Sequence, residues 1–176
     1  MEAAERVLLD EGYAAVTSRR VAAAAGLKPQ LVHYYFRTMD DLFVEVFRNR
    51  AEHNLGRAER ALAEDPSLRT LWALNADPRG ATFLIELVAL ANHRKALRAE
   101  IARYAERFRA LQLEALTTAL AAAGVDAAQL PPLAALLLMT GVGQVLGLEE
   151  ALGVKAGHKE TRAYLDRMVA QLDSGS

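Results

Sequence analysis

Residues 95–123 contain neither glycine nor proline, and their apolar side chains Leu97, Ile101, Tyr104, Phe108 and Leu111 step by four, three, four and three. A period near 3.6 keeps such a set on one side of a helix, so this stretch predicts a long helix whose seam must be covered over several turns. The rest of the chain supplies covers of the same kind. Ala, Leu, Arg and Glu, all strong helix formers, dominate it, and alternating strand patterns are missing. An all-α fold follows. With 176 residues the chain can bury a sizeable core without a covalent staple, and it has no cysteine. Cysteine nucleophiles, redox pairs and thiolate metal sites are thereby excluded, and a reducing cytoplasm is the expected location.

Glycine, proline and capping residues predict about nine helices. The first spans residues 2–11, with Ala4, Val7 and Leu8 on one face and Gly12 closing it. The second begins at Ser18 as N-cap and stops at Gly26, and the third covers 29–36 with Pro29 in the first turn. The fourth starts after Thr38, with Asp40 and Asp41 at the positive end of its dipole, and continues to about Ala63. Asp65-Pro66 and Asp77-Pro78 each read as an N-cap followed by proline at N1, opening helices over 66–74 and 78–92. Gly124 ends the long helix, helices over 133–152 and 159–172 follow, and Ser174 to Ser176 is expected to fray.

The stretch from Ala127 to Leu148 has no charged residue and is long enough to cross a bilayer. It also holds Gln129, Pro131, Pro132, Thr140, Gln144 and three glycines, and unpaired polar groups are expensive in lipid. A helix buried inside a protein assembly is the expected reading, and no membrane partner is expected. The N-terminus lacks a basic region followed by an apolar run, so no signal peptide is expected.

Ala22 and Gly26, four apart, supply what a helix-turn-helix needs: a small residue where two helices cross and one free to take positive φ at the turn. Val21, Ala25, Leu27, Val32 and Tyr35 fall where such a unit buries its own core, and Val32, Tyr35 and Phe36 share one face of the third helix. Gln30, His33 and Tyr34 share the opposite face, with Lys28 and Leu31 at its margins. The formal net charge of −1 decides nothing by itself. Its distribution is more telling. Residues 1–50 carry seven Lys/Arg and seven Asp/Glu, yet between Glu11 and Asp40 there are only Arg19, Arg20, Lys28 and Arg37 and no acid. Such a window meets phosphate without repelling it. The duller reading of the same four cations is a solvated face.

Residues 5–47, with GYAAVTSRRVAAAAGLKPQLVHYYFRTMDDLFVEVF at their heart, resemble the N-terminal DNA-binding domain of the TetR family of bacterial transcriptional regulators. The shared pattern is Gly-Tyr, a Thr/Ser opening helix two, Ala-x-x-x-Gly at the turn, an aromatic run ending in Phe, and a capped fourth helix. The resemblance implies a three-helix helix-turn-helix domain over 1–47. A fourth helix would join it to a helical ligand-binding and dimerisation domain over 48–176. It implies a DNA-binding regulator, by family habit a repressor, that binds a palindromic operator as a homodimer and is released by a small, mostly apolar ligand. Carried over residue by residue, it places Ser18 and Arg19 on backbone phosphate and Lys28, Pro29, Gln30 and Leu31 in the major groove. His33, Tyr34 and Tyr35 would hold phosphates. Lys28 and Gln30 have the donors to read base edges, and Pro29 and Leu31 can touch a thymine methyl. The chain departs from the family where Lys28-Pro29-Gln30-Leu31 replaces a frequent Ser-Lys-Gly-Thr and Met39 replaces a frequent lysine, and no basic tail precedes the first helix.

Gly141, Gly143 and Gly147 lie on the charge-free helix, and Gly143 to Gly147 has GxxxG spacing. Either a partner helix comes close there or the glycines pack within one subunit; the resemblance implies a dimer built from the two C-terminal helices. Trp72, Phe83, Leu87, Tyr104, Phe108 and Met139 are bulky apolar groups that can line a pocket, with Asn92, Gln112, Thr140 and Gln144 as polar anchors. Plain core is the competing account of that stripe.

The polar inventory serves an enzyme badly. His33, His53, His93 and His158 stand alone, without a His-x-x-x-His or His-Glu-x-x-His pair, and there is neither a glycine-rich phosphate loop after a strand nor a Gly-x-Ser-x-Gly elbow. No enzyme activity, cofactor or metal is expected. The alternative function is a helical protein-interaction module without DNA binding, which explains the glycine-rich helix as a docking surface but leaves the acid-free window unexplained.

Overall fold

The computed structural model describes residues 1–174, and within them the side chains of all but residues 78–82, 85, 86 and 174. The expected fray over 174–176 falls largely outside this: Ser174 closes the last helix, and residues 175 and 176 lie outside the described residues. Every regular element described is helical. In order these are α1 (Glu2–Glu11), a 3-10 turn (Tyr13–Ala15), α2 (Ser18–Ala25), α3 (Pro29–Tyr35), α4 (Met39–Glu64), α5 (Leu68–Asn75), α6 (Pro78–Ala91), α7 (Lys95–Ala122), α8 (Pro132–Ala151) and α9 (His158–Ser174). They form two compact units, one of residues 1–54 with 83–105, the other of residues 55–82 with 106–174.

The first unit is built around α1 to α3. α2 is capped by Thr17, whose extended backbone lets its side-chain oxygen accept from the Arg20 N–H, so Ser18, expected as the cap, is already the first helical residue. At the other end Gly26 adopts φ 67°, and the Leu27 and Gly26 amides donate to the Ala22 and Ala23 carbonyls at 2.9 and 3.2 Å. This paired closure needs a left-handed residue, which glycine supplies at little cost, and it turns the chain into α3 within three residues. Arg6 of α1 donates to the Ala24 carbonyl at 3.2 Å, satisfying another acceptor at the same helix end. α4 opens with a reciprocal cap: Thr38 Oγ1 accepts from the Asp41 N–H at 3.0 Å, and the Asp41 carboxylate accepts from the Thr38 N–H at 2.9 Å. The core between these helices includes Val7, Leu8, Val21, Ala22, Val32, Leu42, Phe43 and Phe47, continued by Phe83, Leu87, Leu90 and Leu97.

In the second unit α5 starts later than Asp65-Pro66 suggests. Ser67 is the N-cap, accepting from the Thr70 N–H at 3.2 Å, while Asp65 accepts from the hydroxyls of Ser67 and Thr70 at 2.8 and 2.6 Å. Those two hydroxyls hold the Asp65 carboxyl below its ordinary range. Asp173 of α9 accepts from the Leu68 and Arg69 amides at 3.1 and 3.3 Å. Two carboxylates therefore serve one helix N-terminus, where negative charge is favoured. Leu62, Leu71, Trp72, Leu116, Leu120, Leu136, Leu146 and Val169 make the core here.

α8 has the length and composition of a bilayer span, but only 22% of its apolar window is buried within the single chain, less than expected for an internal helix. Leu136, Gly143, Leu146 and Gly147 face inward, whereas Leu133, Leu137, Leu138, Val145 and Leu148 are exposed. Of the two readings of these glycines, Gly143 fits packing within the subunit: a Cβ there would lie 2.0 Å from the Asn75 carbonyl oxygen. Gly141 has open space where its Cβ would be.

Candidate nucleic-acid interface

α3 has seven residues, and among them only Val32 is buried. Lys28 is its N-cap and Pro29 occupies the first turn, where no N–H is needed. With one anchor, α3 displays nearly everything else. Lys28, Pro29, Gln30, Leu31, His33, Tyr34 and Tyr35 are all exposed, Tyr34 by 80%. On α2, Arg19 is exposed and Ser18 half-buried. The nine expected contact residues thus lie on the helix pair of one compact unit.

Three expected core positions are not core. Tyr35 is 71% exposed, Leu27 51%, and Ala25 is also exposed. For Tyr35 the reason is the brevity of α3: it ends at Tyr35, and Phe36 is already extended, so the chain turns away before the ring can reach the face held by Val32. The Tyr35 ring meets Tyr34 edge to face, 5.3 Å between centroids. Val21 and Val32 are buried as expected, and Phe36 packs against the core.

The acid-free window is not acid-free in space. Glu11, at the end of α1, makes two hydrogen bonds to the Arg20 guanidinium, one of 2.9 Å from Nε. This contact holds the Glu11 carboxyl below its usual range and raises Arg20 further. Arg20 is thereby occupied. Among the described residues no carboxylate pairs with Arg19, Lys28 or Arg37, so three cations of this window keep their charge unpaired. Chemically the face offers cationic and neutral donors, an imidazole, two phenols and the apolar surfaces of Pro29 and Leu31. That combination suits a polyanion carrying hydrogen-bonding edges.

The residues expected to line a ligand pocket separate into two groups. In the first unit Phe83 and Leu87 are buried, and Tyr104 accepts a hydrogen bond from Asn54 and meets Phe47 edge to face at 5.6 Å. Asn92 is exposed there, its carbonyl accepting from Arg98 at 2.8 Å. In the second unit Trp72 is buried, Phe108 half-buried and Gln144 exposed. Gln112, Met139 and Thr140 converge on Asn75, a residue that periodicity does not single out. Asn75 Nδ2 donates to Gln112 and to the Leu71 carbonyl at 2.8 Å, its Oδ1 accepts from Thr140 at 2.9 Å, and Met139 Sδ is 3.8 Å away. Gln112 is 1% exposed and so fully withdrawn from water.

A separate open cleft of about 440 Å³ lies along α8, lined by Leu137, Leu138, Val145 and Thr161 and closed at one corner by Glu149 and His158, 2.8 Å apart. None of the expected pocket residues lines it.

Residues 1–46 match the bacterial regulatory proteins of the tetR family. The HTH-type transcriptional regulator BetI of Rhizobium meliloti (strain 1021) is 33% identical to the chain, over 62% of this chain and 58% of that protein. The chain thus aligns with little more than half the length of that relative. No solved structure matches.

Proposed function

We propose that this chain, whose residues 1–46 match the bacterial regulatory proteins of the tetR family, is a regulator of that kind that binds double-stranded DNA and regulates transcription in the cytoplasm. The observation that carries the reading is the single-anchor geometry of α3, which leaves Lys28, Gln30, His33 and Tyr34 exposed, as Arg19 of α2 also is. Residues 1–47 act as the DNA-binding domain, with Lys28 and Gln30 reading base edges. Ser18, Arg19, His33, Tyr34 and Tyr35 hold phosphate, and Pro29 and Leu31 lie against thymine methyls. The relative's printed description, a helix-turn-helix transcriptional regulator, supports the same role.

A lone reading helix covers few base pairs, so specificity calls for two copies on a palindrome with half-sites about 34–36 Å apart. The exposed apolar side of α8, together with Tyr164 and Met168 of α9, supports a homodimer in which a second copy covers that face. Residues 48–176 then serve dimerisation and ligand binding, and the regulator is a repressor released by a small, mostly apolar effector. The Asn75, Gln112 and Thr140 network beside Met139 supports the effector reading, because it sets polar groups within an apolar surround.

Selection of bound fragments from a pool of random duplexes tests the proposal, followed by salt titration and a screen for compounds that release the DNA. The expected result is an enriched palindrome whose retention falls steeply with salt. No enrichment and no salt-dependent retention would leave the protein-interaction module as the better account.

A further inference from the structure

Arg94 lies in the turn between α6 and α7, where its amide donates to the Ala91 carbonyl at 3.2 Å and its own carbonyl accepts from the Arg98 N–H at 3.0 Å. Its backbone is therefore fixed by both helices. From that point the guanidinium makes two contacts on α4. It lies over the Phe43 ring, 5.3 Å from the centroid, and Nε is 2.6 Å from Asp40 Oδ1. Phe43 belongs to the buried core, and Asp40 is in the first turn of α4. Only Phe36, Arg37 and Thr38 separate α3 from α4, and the last of these is locked by its reciprocal cap with Asp41. Little slack remains between the place Arg94 grips and the end of α3.

On the reading that α3 contacts duplex DNA, we propose that Arg94 is a positioning residue for that contact, holding the first turn of α4, and through it the outgoing end of α3, against the α6–α7 turn. A planar guanidinium can meet a ring face and a carboxylate at once, which a lysine ammonium cannot reproduce. The pair with Asp40 is substantially exposed, with side chains 29% and 54% accessible, and alone it is weak. Its use is geometric. Arg50 repeats the arrangement on the same unit, pairing with Glu5 of α1 while lying over the Phe83 ring of α6, 5.2 Å from the centroid. The head that carries α3 is thus held at α1 and at α4 by arginines that each combine a carboxylate with an aromatic face.

The test compares wild type, Arg94→Ala and Arg94→Lys. Amide exchange over residues 29–42 is measured first, without DNA, and is expected to quicken in Arg94→Ala with helicity retained. Unchanged exchange there overturns the proposal whatever the protein binds. Retention of wild type on duplex DNA tests the DNA reading by itself. On duplexes enriched by the wild type, Arg94→Ala should bind about three- to tenfold more weakly and Arg94→Lys in between, with the dependence on salt unchanged. A salt slope smaller by about one marks a direct phosphate contact and overturns the positioning role, as does affinity equal to wild type.

Discussion

The α-carbon of Gly143 faces the backbone carbonyl of Asn75 so closely that a Cβ would stand 2.0 Å from its oxygen. The obstacle is main chain, which cannot swing aside as a side chain can. Gly143→Ala should therefore lower stability by about 1–3 kcal/mol in urea unfolding, in the range of other overpacking substitutions. Gly141→Ala has open space on the same helix and is expected to be neutral or to add up to about 1 kcal/mol through helix propensity. Equal effects at the two positions would refute the packing argument.

Gln30 and Tyr34 are both exposed on α3, yet they are assigned different duties. Gln30→Ala should relax base choice, costing about 1–3 kcal/mol on the selected duplex and little on a scrambled one. Tyr34→Phe removes the hydroxyl proposed to hold phosphate and should weaken both about equally. Competition binding with the two duplexes decides. Equal losses for Gln30→Ala on both would remove it from the readout.

Glu100 is 7% exposed and accepts from Arg48 and Arg103, and the Arg48 contact in particular holds its carboxyl below the usual range. A depressed folded-state value means that this stabilisation is present above the unfolded carboxyl pKa, about 4.3. It is lost as pH falls below that and through the folded value. Glu100→Gln should cost about 1 kcal/mol at neutral pH, discounted because Arg48 is half exposed, and the cost should vanish in acid. Urea unfolding of both proteins across the acid range checks this, and a penalty that persists at the acid end would contradict it.

Leu138 is 66% exposed in the single chain, so its loss should hardly disturb the subunit. If a second copy covers α8, Leu138→Glu buries a carboxylate in an apolar interface and should yield helical monomers in sedimentation experiments. Undiminished association would place the dimer contact elsewhere.

The all-α architecture was legible because Gly12, Gly26, Gly124, Pro29 and Pro132 punctuate strongly helical stretches, and each helix fell within a few residues of its expected span. Local ambiguity caused the small errors. Thr17 and Ser18 can both cap, as can Asp65 and Ser67, and backbone geometry chooses between neighbours. The larger errors were tertiary. Glu11 meets Arg20 because α1 and α2 pack together, and Asn75 becomes a hub because α7 and α8 bring Gln112, Met139 and Thr140 to it. Neither contact leaves a mark in periodicity. Helical phase alone puts Tyr35 on a face that α3 is too short to complete.

Val32 alone ties α3 into the interior, while its neighbours face water. If α3 reads DNA as proposed, folding and target choice are written in different letters along this helix. The positions from Lys28 to Leu31 can drift or be redesigned without repacking anything beneath them, so a gene copy could acquire a new address in the genome while keeping its scaffold intact.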